Sequence, residues 1–393
     1  MPDTDKTTIK LYEENGYQKE FDAVVEQCLK AEGHDTLYDI VLDRTCFFPE
    51  GGGQPSDTGT LGGARVIDVH EKNGLVFHRT DVELAVGAKV HGVIDWERRF
   101  SNMQQHSGEH ILSGIIHRTH GFDNVGFHIG SEFVTLDFNG VLTEGQLKEA
   151  ETLANEAVYA NLPVDVLYPG QEELGKLLYR SKKEINGRIR IVSIPGCDIC
   201  ACCGTHVRRT GEIGIIKVIS AQKYKGGIRI SILCGSRALE HFRKTLKSVD
   251  DISVLLSAKP DLVSEATEQL LNENDRLKFR IREMSRRLVR ERAAHIAPDE
   301  GFYIGLEEDL SFEELKELAL LLSQKPVDCI VFSGSEEEGY RYAVASSAGD
   351  SREISKRIND ELNGRGGGSG LLAQGSVRCS AEDLKNFIEN YSS

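Results

Sequence analysis

The sequence predicts an α+β protein of several domains, on three observations. The chain has 393 residues, more than one hydrophobic core ordinarily serves. Its apolar pattern alternates up to about residue 95 and then changes to helical spacing interleaved with strands. Hydrophobic residues make up 39% and charged residues 28%, the balance of a folded globular chain, and no apolar run is long enough to span a bilayer.

Residues 1–95 carry short alternating segments such as YDIVLDRTCFF and ARVIDVHEKNGLVFHRT, broken by glycine-rich turns. Period two turns one face of each strand to a core and the other to water, so a β-barrel is expected here. Residues 96–235 are mixed. A helix is expected over 101–118, SEFVTLDFNG alternates as a strand, and Thr143 is placed to cap a helix through TEGQLKEAETLANEAVYANL. The strands IRIVSIPG and GIIKVISAQKYKGGIRISILCG bracket a cysteine group, completing an α+β domain. Residues 236–297 read as helix, with Pro260 as a break. Leu270, Leu277 and Met284 recur there with Ile281 and Leu288 as a short heptad seam, interrupted by Asn274, and an antiparallel helical hairpin is expected. Residues 298–393 read as a compact α/β module: FYIGLEEDL, the helix SFEELKELALLLSQ, the strands DCIVFSG and YRYAVASS, a further helix and the cluster NGRGGGSGLLAQGS.

The opening segment MPDTDKTTIKLYEENG lacks the apolar centre of a secretory signal, so a cytoplasmic location and no membrane partner are expected. Nine cysteines include a group at Cys197, Cys200, Cys202 and Cys203. In a reducing compartment such a group points to metal or redox chemistry rather than disulfides. The formal charge of −15 argues mildly against a nucleic-acid partner, yet two stretches run the other way. Lys176 to Arg229 holds twelve Lys/Arg and three Asp/Glu, and Arg276 to Arg292 holds eight and two. Such strips can form a footprint for a polyanion, or be solvated faces.

In NMQQHSGEHILSG, helical spacing stacks His106 and His110 one turn apart on one face. Downstream, Cys202-x-x-x-His206 offers a thiolate and an imidazole from a short loop. Three imidazoles and one thiolate suit Zn²⁺, one ion per chain, and this set ranks first. Other readings remain open. The histidine pair is incidental; H-S-G-E-H matches the H-x-x-E-H pattern of zinc peptidases, with Glu109 activating water; or Cys197, Cys200 and Cys203 serve a separate zinc or iron–sulfur site that needs a fourth ligand.

These residues carry a family resemblance. HxxxH followed by CxxxH, preceded by DRTCFFPEGGGQPSDTGTL, resembles the editing domain of alanyl-tRNA synthetases, and more closely their free-standing relatives, the long AlaX-type alanyl-tRNA editing proteins. RRFSNMQQHSGEHILSG, GFHIGSEFVTLDF, CCGTHVRRTGEIGIIKV and GGIRISILCGSRAL extend the likeness. GRGGGSGLLAQGS resembles the glycine motif of the C-terminal DHH-associated domain. Residues 1–40 are too few for an ATP-dependent activation domain. Cys203 stands where the synthetase loop commonly has glycine and offers a competing sulfur, so Cys203 or His206 is left to complete the coordination.

The resemblance implies a deacylase acting in trans on tRNA(Ala) that carries serine, and sometimes glycine. It implies a cleft whose amino-acid end is closed by Thr45, Gly51, Gly52, Gly53 and Gln54, and a substrate contact with catalytic involvement at His128. Glu109 is the candidate general base or water-positioner; the alternative is an outer partner of the ligands or a surface residue. Lys182, Lys183, Arg188, Lys223, Lys225, Arg286 and Arg287 are the candidate tRNA contacts. A homodimer through the helical arm or C-terminal domain is a further expectation. The rival functions are a zinc peptidase, which requires a downstream carboxylate ligand, and a non-enzymatic tRNA-binding protein with structural zinc.

Overall fold

The computed structural model describes residues 7–181, 189–297, 301–325, 327–348 and 350–391. They form two compact units divided between Ser248 and Val249.

In the first unit, six strands pair in the order Glu20–Lys30, Tyr38–Leu42, Leu75–Thr80, Ala64–Lys72, Gly59–Leu61 and Lys89–Ile94, and the last returns to the first, closing a barrel. Closure removes the unpaired edges of an open sheet. Phe21, Ala23 and Val25 alternate inward, as the period-two pattern requires. They join Ile40, Phe47, Leu61, Val66 and Val76 in the barrel core. A polar pair lies among them. His78 Nδ1 is 3.0 Å from the Ile40 carbonyl and Nε2 is 2.7 Å from the Thr45 hydroxyl. A carbonyl only accepts, so Nδ1 carries the proton and Nε2 accepts from Thr45. Burial pushes His78 down to about 4.

The chain then enters a helix, Trp96–His120. Asp95 caps it by accepting the Arg98 N–H, and Gly121 ends it in the left-handed conformation. It starts before residue 101 because WERRF supplies a first turn under that cap. The helix is buried from Asn102 to Ile116, polar residues included. Gln105 bonds both the N–H and the carbonyl of Cys234 at 2.8 Å. The fully buried Arg99 pairs with Asp57 and donates to the carbonyls of Gly16 and Cys46, fastening the helix to the barrel. A Cβ on Gly108 would stand 2.3 Å from Cys234 Sγ, and one on Gly114 2.3 Å from the Cys197 carbonyl. Glycine in a helix costs about 1 kcal/mol relative to alanine, and here it admits neighbouring chain on two sides.

Around this helix lie a four-stranded antiparallel sheet, in the order Ile216–Tyr224, Gly227–Cys234, Val134–Phe138 and Asn124–Ile129, and the helix Glu144–Tyr159. Thr143 and Gln146 form a capping box at that helix's start. A three-stranded sheet, Asp165–Leu167, Ile191–Ile194 and Asp198–Ala201, completes the wall.

Helix Gly235–Leu256 crosses the divide between the units. A turn at Pro260–Leu262 follows, as the proline predicts, and then helix Val263–His295, whose Leu270, Leu277, Ile281, Met284 and Leu288 are exposed. The second unit's five-stranded sheet runs Phe302–Glu307, Asp328–Ser335, Gly339–Ser346, Leu372–Val377 and Gly364–Gly368. Helix Phe312–Leu322 covers one face, and helices Ser351–Glu361 and Ala381–Tyr391 the other. The glycine cluster thus contributes two of these strands. Among the described residues no helix is long and apolar enough to cross a membrane.

Candidate metal and active site

Four buried side chains meet in the first unit. His106 and His110 come from one face of the long helix, and Cys202 and His206 from the loop after strand Asp198–Ala201. Their ligand-capable atoms all lie within 4.8 Å of one another. Cys202 Sγ is 3.3 Å from His106 Nε2 and 3.4 Å from His206 Nε2. Donors on a tetrahedral zinc ion, with Zn–S about 2.3 Å and Zn–N about 2.0 Å, stand about 3.5 Å apart. The group can therefore hold a metal ion with little rearrangement.

Each imidazole is also held from behind. Nδ1 of His106 is 2.8 Å from Gln54 Oε1, that of His110 is 2.7 Å from Asp198 Oδ2, and that of His206 is 3.2 Å from Ser107 Oγ. An oxygen on Nδ1 fixes the ring and turns Nε2 to the shared centre. Burial pushes His206 down to about 3. At Cys202 burial opposes ionisation, yet His106, His206 and His110 outweigh it and hold the thiol well below its ordinary range. At His110 burial again opposes charge, but Glu109, Cys202 and Asp198 raise it well above the usual value. A thiolate among imidazoles is the ligating state of such a site.

Glu109 is fully buried and borders the cluster. Its Oε1 accepts from Ser113 at 2.8 Å and Asn124 at 2.6 Å, and its Oε2 is 3.8 Å from His110 Nε2.

The glycine-rich turn enters from the barrel. Gly51 and Gln54 exchange backbone hydrogen bonds, while Gly52 and Gly53 adopt φ of +60° and +84°. Those values and a Phe127 carbonyl 2.5 Å from where a Gly53 Cβ would sit make glycine necessary. The turn delivers Gln54, whose amide nitrogen donates to Thr205 at 2.9 Å while its oxygen meets His106. Gln54 is fully buried, and its oxygen holds a cluster histidine. Gly204 matters likewise, since a Cβ there would stand 2.2 Å from His106 Cε1.

Other expectations divide. Cys203 is exposed and outside the cluster, so Cys202 is the sulfur among the four. Cys197, Cys200 and Cys203 form no joint group among the described residues; Cys200 is grouped with His110 and Asp198. The third and fourth donors are Cys202 and His206, not the carboxylate a peptidase reading requires. His128 is exposed on strand Asn124–Ile129. Its neighbour Phe127 faces His106 at 4.8 Å between ring centroids, and strand alternation sends His128 to the opposite face. Thr45 is buried, with its hydroxyl donating to His78 and accepting from the Phe47 N–H at 3.0 Å.

Of the candidate RNA contacts, Lys182, Lys183 and Arg188 lie outside the described residues. Lys223 and Lys225 are exposed at the tip of the hairpin formed by Ile216–Tyr224 and Gly227–Cys234. Arg286 pairs with Glu283 and Glu317, and Arg287 with Glu291. Sequence reasoning missed Asp198, Arg180, Ser107 and Asn124. An acid between two cysteines in CDIC was the one visible signal.

With this geometry established, comparison with known proteins gives consistent results. Residues 3–98 match the family model of class II (A) tRNA synthetases, and residues 189–231 match that of the threonyl and alanyl tRNA synthetase second additional domain. The alanyl-tRNA editing protein AlaX-L of Pyrococcus horikoshii is 32% identical, across 95% of this chain and 96% of that one. An alanyl-tRNA editing protein of Danio rerio is 29% identical over 92% of each chain. The alanine–tRNA ligase of Ignicoccus hospitalis is 31% identical across 96% of this chain but only 42% of its own length.

Proposed function

The chain belongs to the alanyl-tRNA editing protein family, and from that premise we propose that it hydrolyses serine, and secondarily glycine, from mischarged tRNA(Ala) in trans. The observation that carries the reading is the four-donor cluster bordered by the buried Glu109 carboxylate. His106, His110 and His206 through Nε2, and Cys202 through Sγ, would hold one Zn²⁺. Held by four protein donors, the ion would have no open tetrahedral position and would supply electrostatic order beside the ester.

This chain's own residues perform the rest. Ser113 and Asn124 hold Glu109 Oε1, and Oε2 lies on the cluster side, 3.8 Å from His110 Nε2. Glu109 Oε2 takes a proton from the attacking water as the water oxygen bonds to the acyl carbon. The ester bond to the ribose oxygen then breaks, and that oxygen receives the proton. Gln54, Asp198 and Ser107 keep the imidazoles in register throughout.

Selectivity follows from hydrogen bonding. An apolar pocket separates alanine poorly from alanine with a hydroxyl, whereas a built partner for that hydroxyl discriminates well. Thr45 is suited to be that partner: its proton is committed to His78 and one lone pair to the Phe47 N–H, so the other lone pair can accept from a further donor such as a serine hydroxyl. Exposed Lys223 and Lys225, together with Lys182, Lys183 and Arg188, are proposed to neutralise tRNA phosphates.

The deciding experiment measures serine release from Ser-tRNA(Ala), with Ala-tRNA(Ala) as control and with chelator added and removed. Serine release that is selective and chelator-sensitive is expected. Binding of tRNA without any hydrolysis would instead establish the non-enzymatic alternative.

A further inference from the structure

We propose that Arg180 is a positioning residue of the metal site, acting through Asp198 on His110, and that it controls how tightly the ion is held. The inference rests on the metal reading above. It concerns two residues outside the HxxxH and CxxxH motifs.

The geometry is a three-member chain. Arg180 meets Asp198 with a fork, Nε to Oδ1 at 2.8 Å and Nη2 to Oδ2 at 2.8 Å. The same Oδ2 accepts from His110 Nδ1 at 2.7 Å. A bidentate guanidinium fixes the plane of a carboxylate, which a single donor does not. The carboxylate plane then sets the plane of the imidazole and the direction of Nε2. Backbone places each member. Arg180 N donates to Ile199 O at 2.8 Å, and Ala201 N donates to Arg180 O at 2.9 Å, so the arginine rides on the strand that carries Asp198. Gly114, one turn beyond His110, lets that strand reach the helix, since a Cβ there would also stand 2.8 Å from Asp198 Cβ.

Charge supports the same role. A buried site holding a divalent cation beside the Cys202 thiolate and the carboxylates of Glu109 and Asp198 is one positive charge short of balance. Arg180 supplies that charge, and its side chain is only 13% exposed. An unbalanced charge in a buried cluster is costly.

The test is zinc affinity of the full chain by chelator competition, with cobalt substitution as a spectroscopic reading. Arg180→Gln and Asp198→Asn are each expected to weaken zinc binding about 10–100-fold. Arg180→Lys, which keeps the charge and loses the fork, should fall between. The sulfur-to-cobalt absorption should persist in all three, because the four donors remain, while the ligand-field bands shift. Unfolding of the metal-free forms, measured alongside, separates site effects from loss of fold. Affinity within about twofold of wild type in Arg180→Gln overturns the proposal; if that variant does not fold, the same result in Asp198→Asn overturns it. Wild type that binds no zinc overturns this proposal and the metal reading together, whereas zinc binding without serine release overturns only the assigned function.

Discussion

Individual side chains set the sharpest expectations. Cys202→Ala should abolish stoichiometric zinc and weaken binding by more than about 100-fold, since it removes a donor and not merely an orienting partner. Cys203→Ala should leave zinc content unchanged by elemental analysis. Glu109→Gln should retain zinc yet slow serine release about 10²–10⁴-fold in single-turnover assays. Thr45→Val should lower serine release relative to alanine release about tenfold, roughly the worth of one hydrogen bond. The donors themselves were legible because helix and loop spacing announces them: four residues apart in HxxxH, four in CxxxH. Their outer partners were not. Ser107 lies beside His106 in sequence but bonds His206, and Asp198 reaches His110 across a turn of chain no local pattern encodes. Gln54 was visible as a residue, but only the fold shows that its amide oxygen meets His106.

Elements carry the next set of consequences. The long helix is fastened by the Arg99–Asp57 pair, both partners fully buried. Arg99→Met removes the cation and strands the carboxylate, so a loss of about 3–5 kcal/mol in chemical denaturation is expected. Within the barrel, His78 binds its proton more weakly when folded, near 4, than its ordinary value near 6.5. The unfolded chain therefore takes up the proton first as pH falls, and stability drops across that window by up to about 3 kcal/mol. Unfolding curves at pH 7 and pH 4.5 should show the drop, and His78→Gln should flatten it. Strands were legible from their period, as Ala64–Lys72 and Leu75–Thr80 illustrate, and one helix start from the Thr143 cap. The start of the long helix was not, because three charged residues follow Trp96 in its first turn and a cap rather than apolar spacing signals it.

For the molecule as a whole, composition announced a folded chain but not how its parts divide the work. A global charge of −15 conceals exposed lysines at the tip of one hairpin, which only three-dimensional placement reveals. Arginines of the helical strip are already engaged by glutamates, as Arg286 and Arg287 show, so a positive count along sequence overstates what that strip offers RNA. Lys223→Glu with Lys225→Glu should weaken tRNA binding and flatten its dependence on salt in a filter-binding titration.

The glycine turn that carries Gln54 across to His106 has a consequence for anyone dividing the polypeptide. A fragment beginning at Trp96 would retain all four donors yet lose the amide that steadies one of them, along with Asp57 beneath Arg99. Supplying residues 1–95 as a separate peptide should restore ion retention to such a fragment, so the two pieces would behave as halves of one clasp rather than as independent modules.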